Sequence, residues 1–320
     1  MNDIRLLAVD LDGTLLDPSG ALTTRTRRAI TQAAARGVRI VLATARRFTG
    51  AVPVADELGT VDALVLYDGA QVRAYPGGEI LFAQALSAAV GQRAAEVMAA
   101  HHLQPIAQHT TRDGEYLLVA PAAPRGEWAS AYLESAGQQV RRVPLERVCA
   151  GQQDALRVVA FGPLRRLRLV ARELAGALPV GEAIRADPPE EQPASRFATQ
   201  LLPMGNYGAA ELTVFAPGIS KGSALARLAG RYGIALERTM AIGDGVNDLP
   251  LLHTAGLAVA MGHAPRAVRA VADVITASNA EDGAAQAIER YVLGDERKFT
   301  RAPRSAADRL PPEQPRAAAE

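Results

Sequence analysis

The chain has 320 residues, 48% of them hydrophobic, which suits a globular enzyme and, at roughly 100–200 residues per domain, suggests two domains. Its 35 Lys and Arg stand against 34 Asp and Glu, so no broad field draws in nucleic acid or an anionic membrane, and anion binding must be local. A single cysteine, Cys149, excludes an internal disulfide and a cysteine-cluster zinc site, and reads as a buried, inert thiol in a reducing cytoplasm.

The N-terminus lacks the basic start and long apolar run of a signal peptide, and no apolar run approaches a membrane span, so the expected location is cytoplasmic. Ile4 to Leu11 reads as a buried strand ending in Asp10 and Asp12, followed by a helix from about Thr23 to Arg36 that Gly37 stops. Further apolar strands follow at Arg39 to Ala43, ending at Thr44, and at Ala63 to Tyr67, ending at Asp68. From 86 to 200 the texture changes. A hairpin is expected across Arg112-Asp113-Gly114, a strand at Ala155 to Phe161, an amphipathic helix from Leu164 to Leu178 and a proline-rich loop from Asp187 to Gly208.

The strand and helix rhythm then returns: strand Glu211 to Phe215, helix Lys221 to Tyr232, strand Thr239 to Ile242, helix Asp248 to Ala255, strand Leu257 to Met261 and a helix around Glu281 to Val292. These units predict an α/β protein with a Rossmann-like parallel sheet core and helices on both faces, interrupted by an inserted α+β domain. The core is expected at 1–85 and 201–293, the insert at 86–200, and a disordered tail at 294–320, where Arg, Pro, Ala and Glu dominate.

Two acidic motifs stand at strand ends. Asp10-Leu11-Asp12-Gly13-Thr14 follows the first strand, and Gly243-Asp244-Gly245-Val246-Asn247-Asp248 follows Thr239 to Ile242. The carboxyl edge of an open parallel sheet is where ligands bind, and two carboxylates one residue apart can divide attack and proton transfer. A Ca²⁺ loop fails on spacing, since Leu15 and Ala21 occupy the positions that need Gly and Glu. Asp248 stands where a dinucleotide fingerprint needs its third Gly. Bringing Asp10, Asp12, Asp244 and Asp248 together costs about 4 kcal/mol per pair at ~4 Å and an effective dielectric of 20. A hard divalent ion removes that cost, and oxygen-only ligation favours Mg²⁺ over zinc. Thr44 and Lys221 add a hydroxyl and an ammonium, the groups a phosphoryl oxygen requires. His101, His102, His109 and His253 show no metal-ligand pattern.

The order of DLDGT, Thr44, Lys221-Gly222 and GDGVND resembles the haloacid dehalogenase superfamily of phosphohydrolases, and its spacing resembles the Cof-type branch, whose large cap is inserted between the second and third motifs. The resemblance implies that Asp10 is the nucleophile forming an aspartyl-phosphate and that Asp12 is the acid and base. It implies that Thr44, Lys221 and Asn247 bind phosphate. Mg²⁺ would be held by Asp10, the Asp12 carbonyl and Asp244, with Asp248 completing or orienting the site. Thr44-Ala45-Arg46, Asp68-Gly69-Ala70 and Met261-Gly262-His263 depart from the family's Thr-Gly-Arg, Asn-Gly-Ala and Met-Gly-Asn. By that reading Asp68 adds negative charge near the mouth of the site and His263 adds a titratable group.

The expected function is hydrolysis of small phosphorylated metabolites, such as sugar phosphates or phosphorylated cofactors, with the cap choosing the substrate and the reacting residues all outside it. A phosphomutase would use the same intermediate, and a non-catalytic sensor of a phosphorylated ligand would not need the full set of carboxylates.

Overall fold

The structure, a computed structural model, describes residues 3–111, 114–120, 127–151, 154–177, 197–204 and 209–294. In chain order its first elements are β1 (Leu6–Val9), α1 (Thr24–Ala35), β2 (Arg39–Ala43), α2 (Phe48–Leu58), β3 (Ala63–Leu66), β4 (Gln71–Ala74) and β5 (Ile80–Ala83). There follow α3 (Ala88–Ala100), β6 (Ile106–Thr111), β7 (Gly114–Val119), α4 (Glu127–Ala136), β8 (Val140–Arg142), β9 (Arg157–Pro163) and α5 (Leu164–Ala177). The remainder is β10 (Ala198–Met204), β11 (Ala209–Phe215), α6 (Lys221–Arg231), β12 (Thr239–Gly243), α7 (Leu249–Thr254), β13 (Leu257–Ala260), α8 (Arg266–Val271), β14 (Val274–Ile275) and α9 (Gly283–Tyr291).

These elements divide into two compact units, one of 1–43, 58–61 and the chain from Lys221 onward, the other of 44–57 and 62–220. In the first unit the strand order is β14-β13-β12-β1-β2, all parallel. Every residue of β1 is buried, which is why its sequence is a continuous apolar run and not an alternation. Thr23 caps α1 by accepting from the Thr26 amide, and the helix buries Thr26, Ala29, Ile30 and Ala33, the spacing of one helical face. That helix packs on α9, while α6 packs on α7. At the α6–α7 contact a Cβ on Gly222 would lie 2.2 Å from the Pro250 carbonyl oxygen, so only glycine permits the approach.

The second unit contains a six-stranded sheet of order β10-β11-β9-β6-β7-β8, antiparallel except for the β7–β8 pair. One apolar cluster joins α3 and α5 residues to Ala107, Leu118, Val158, Ala160, Leu212 and Val214. A second joins α4 residues to Ile106, Leu117, Val119, Val159 and Phe161. The alternation of these residues along β6, β7 and β9 is the period-two pattern of a sheet covered on both faces. A separate antiparallel ladder runs β3-β4-β5.

Two sequence expectations change here. The strand at Glu211 to Phe215, expected in the parallel core, is β11 and lies between β10 and β9 in the antiparallel sheet. Its apolar pattern marks a strand but not a sheet, and a short connection to the preceding strand favours antiparallel pairing. The loop expected from Asp187 to Gly208 contains β10. The helix α2 encloses Pro53, which obscures its pattern in sequence. Arg112 and Asp113 of the hairpin turn, and the tail from residue 295, lie outside the described residues.

Candidate active site

The first unit gathers most of the expected site at the ends of β1 and β12. Asp10 follows β1 and is 5% exposed; its amide donates to the Ile242 carbonyl at 3.0 Å. The chain then turns tightly through Leu11–Leu15, with Gly13 at φ 83°. A Cβ on Gly13 would lie 2.5 Å from Asp244 Oδ2, so glycine serves both the left-handed turn and the close approach of that carboxylate. Thr14 Oγ1 donates to Asp244 Oδ1 at 2.8 Å. Asp12, on the same turn, is exposed.

Lys221, the first residue of α6, is fully buried, and its Nζ lies 2.6 Å from Asp10 Oδ1 and 2.6 Å from Asp248 Oδ1. The other oxygen of Asp248 accepts from the Asp244 amide at 3.0 Å and the Gly245 amide at 2.8 Å. One carboxylate oxygen from each of Asp10, Asp244 and Asp248 lies within 4.8 Å of the others. Asn247 occupies the short helical turn Val246–Asp248 and is half-buried. His263 Nε2 lies 3.5 Å from Asp244 Oδ2.

Burial, and then the charge of Asp248, hold the Asp10 carboxyl well above the usual carboxylate range, against the pull of Lys221. Burial also raises Asp244, with the Thr14 hydrogen bond opposing it. Three carboxylates facing one ammonium leave an excess of negative charge, and the donors are all oxygens. That set fits a hard divalent cation such as Mg²⁺. The arrangement offers a buried nucleophilic carboxylate, a fixed ammonium and an exposed carboxylate two residues along for proton transfer.

Thr44 belongs to the second unit. It is 1% exposed, and its Oγ1 accepts from the Arg46 amide at 3.1 Å. Asp68, expected to charge the mouth of the site, is 2% exposed and is neutralised by Arg157, whose Nη1 donates to its Oδ2 at 3.0 Å. Thr14, Glu115 and Arg157 are among the polar residues to which the sequence assigns no role. Thr14 had a signal, as the last residue of the first motif, whereas nothing local marks the other two.

Cys149 is buried, and burial pushes its thiol up to about 12, which leaves no thiolate for chemistry. His109 is buried and stacks on Tyr116 with ring centroids 4.9 Å apart, and His101 pairs with Glu173 at 2.6 Å.

The family model for haloacid dehalogenase-like hydrolases matches residues 7–125 and 186–288. The 5-amino-6-(5-phospho-D-ribitylamino)uracil phosphatase YcsE of Bacillus subtilis is 26% identical over 294 residues, 91% of this chain and 97% of that protein. The pyridoxal phosphate phosphatase YbhA of Escherichia coli is 24% identical over 302 residues, covering 90% of this chain and 99% of its own length. A crystal structure of a haloacid dehalogenase-like hydrolase from Bacteroides thetaiotaomicron superposes with a TM-score of 0.71 at 26% identity, over 90% of this chain and 99% of that one. No helix among the described residues is long and apolar enough to cross a membrane. With both acidic motifs inside the matched segments, the chain belongs to the haloacid dehalogenase-like hydrolase family, Cof-type branch.

Proposed function

We propose that this hydrolase cleaves phosphate monoesters of small metabolites in the cytoplasm, with Asp10 as nucleophile. The observation that carries the reading is the buried cluster in which Lys221 Nζ lies 2.6 Å from both Asp10 Oδ1 and Asp248 Oδ1, with Asp244 beside them. Because Lys221 holds Oδ1, the other oxygen of Asp10 attacks phosphorus. An Asp10–phosphorus bond forms, the bond from phosphorus to the ester oxygen breaks, and the departing oxygen takes a proton from Asp12. The Asp12 carboxylate then takes a proton from water, whose oxygen attacks phosphorus. The Asp10–phosphorus bond breaks, releasing inorganic phosphate and the free carboxylate.

Lys221, Thr44 and Asn247 hold the phosphoryl oxygens. Bound Mg²⁺ supplies charge neutralisation and polarises the phosphoryl group. Asp10, the Asp12 carbonyl and Asp244 would hold it. Asp248 suits an orienting role, since Lys221 and the amides of Asp244 and Gly245 occupy its two oxygens.

The substrates named for the two phosphatase relatives support phosphorylated sugar derivatives and cofactors as the class. A phosphate-release screen against such a panel with Mg²⁺ tests the reading. Release by the parent and none by Asp10→Asn is expected. A parent inactive on every ester, or an active Asp10→Asn, contradicts it.

A further inference from the structure

Within the second unit, two backbone segments are bonded to each other. The Thr44 amide donates to Val65 O at 2.9 Å, the Tyr67 amide to Arg46 O at 3.2 Å, and the Asp68 amide to Thr44 O at 3.1 Å. Tyr67 and Asp68 both lie in the left-handed region, at φ 52° and 55°. Residues with side chains occupy that region at a cost, and two in succession persist only where their surroundings over-determine them.

Two buried side chains of the six-stranded sheet do so. Arg157, at the start of β9, donates Nη1 to Asp68 Oδ2 at 3.0 Å, Nη2 to Ala45 O at 2.9 Å and Nε to Gln108 Oε1 at 2.8 Å. Its guanidinium also lies 5.5 Å from the Tyr67 ring centroid. A guanidinium is a rigid planar fork, so one residue fixes Asp68 and Ala45 relative to each other. Glu115, on β7, accepts from the Phe48 amide at 2.9 Å, the Thr49 amide at 3.4 Å and the Thr49 hydroxyl at 2.5 Å. It also accepts from Tyr67 Oη at 2.5 Å and Arg47 Nη1 at 3.3 Å. The residue before α2 is Arg47, whose side chain has no acceptor, so Glu115 caps that helix from another strand.

The geometry points to Arg157 and Glu115 as positioning residues for phosphoryl transfer: they set the turn from Thr44 to Arg47, and with it the Thr44 hydroxyl, without touching phosphate. The inference rests on the role proposed for Thr44. A merely structural cluster would stabilise the unit without coupling to Thr44.

A double-mutant cycle separates the two. Hydrolysis of p-nitrophenyl phosphate with Mg²⁺ is measured for the full-length parent, Arg157→Lys, Thr44→Ala and the double variant, with melting temperatures alongside. Lysine keeps a charge for Asp68 but cannot also hold Ala45 O. Arg157→Lys should lower kcat about 10–100-fold with KM changed less than about threefold. When Thr44 is already Ala, the same change should lower kcat less than about threefold. Glu115→Gln, run through the same cycle, should show the same coupling. Both single variants within about twofold of the parent, or equal losses with and without the Thr44 hydroxyl, would overturn the inference. So would failure of both to fold, which would make the cluster structural alone. A parent inactive on p-nitrophenyl phosphate and on every metabolite ester would overturn the proposed function instead.

Discussion

Each unit holds a buried ionic cluster, and the two differ in charge balance. In the first, Asp10 and Asp248 share the ammonium of Lys221, while Asp244, within 4.8 Å of both carboxylates, accepts from the Thr14 hydroxyl and lies 3.5 Å from the His263 imidazole. In the second, three carboxylates meet three guanidiniums: Glu115 has Arg47 at 3.3 Å and interacts with the charge of Arg73, and Asp68 and Glu211 share Arg157 at 3.0 and 3.7 Å. A matched cluster satisfies its own charges and holds backbone in place. An unmatched one repels itself until a cation arrives. Charge imbalance, more than burial, therefore distinguishes the first cluster from the second.

The largest effect that would break this contrast is at Asp10. Asp10→Asn should fold and lose on the order of 10⁶-fold in kcat on p-nitrophenyl phosphate, the scale of nucleophile loss in other covalent hydrolases. Because it removes one of the crowded negative charges, its melting temperature in EDTA should match or exceed the parent's. Asp12→Asn should lose ~10²–10⁴-fold on alkyl phosphates and less on aryl phosphates, whose leaving groups need little protonation. Equal losses on both ester types would remove Asp12 from the acid role. EDTA should abolish turnover, and Ca²⁺ should not restore it, because its larger and looser coordination can engage both Asp10 oxygens. Activity unchanged in EDTA would mean that the acidic cluster serves something other than a cation.

The smallest effect is on stability against pH. The folded protein holds protons on Asp10 and Asp244 above the pH at which the unfolded chain releases them. Between those two ranges the native state binds more protons, so metal-free stability should fall as pH rises through the raised carboxyl range. Saturating Mg²⁺ should flatten that slope. Denaturant titrations at several pH values in EDTA would reveal a rising slope if the contrast were wrong.

Much of the first cluster is legible in sequence, because Asp10 and Asp244 each end an apolar run and Lys221 opens an amphipathic helix. The second is not. Glu115 and Arg157 meet the Thr44 turn through pairings distant in sequence, and nothing local separates them from ordinary solvated charges. The same blindness leaves Asp68 an uncompensated negative charge, although it is buried and paired with Arg157, and assigns β11 to the wrong sheet. The sequence reading also keeps the insert out of the chemistry. With Arg157 and Glu115 as positioning residues, excision of 86–200 should lower kcat on p-nitrophenyl phosphate as well as blur selectivity among metabolites. An excised, folded core with the parent's kcat would restore the simpler division of labour.

The central claim is that phosphorus passes through Asp10. Asp12→Asn, turning over p-nitrophenyl phosphate, should accumulate the acyl phosphate because water attacks it slowly. Acid quenching, borohydride reduction and peptide mass spectrometry should then find homoserine at Asp10. Continued turnover with Asp10 unmodified, or with the phosphoryl group trapped on another residue, would contradict the account.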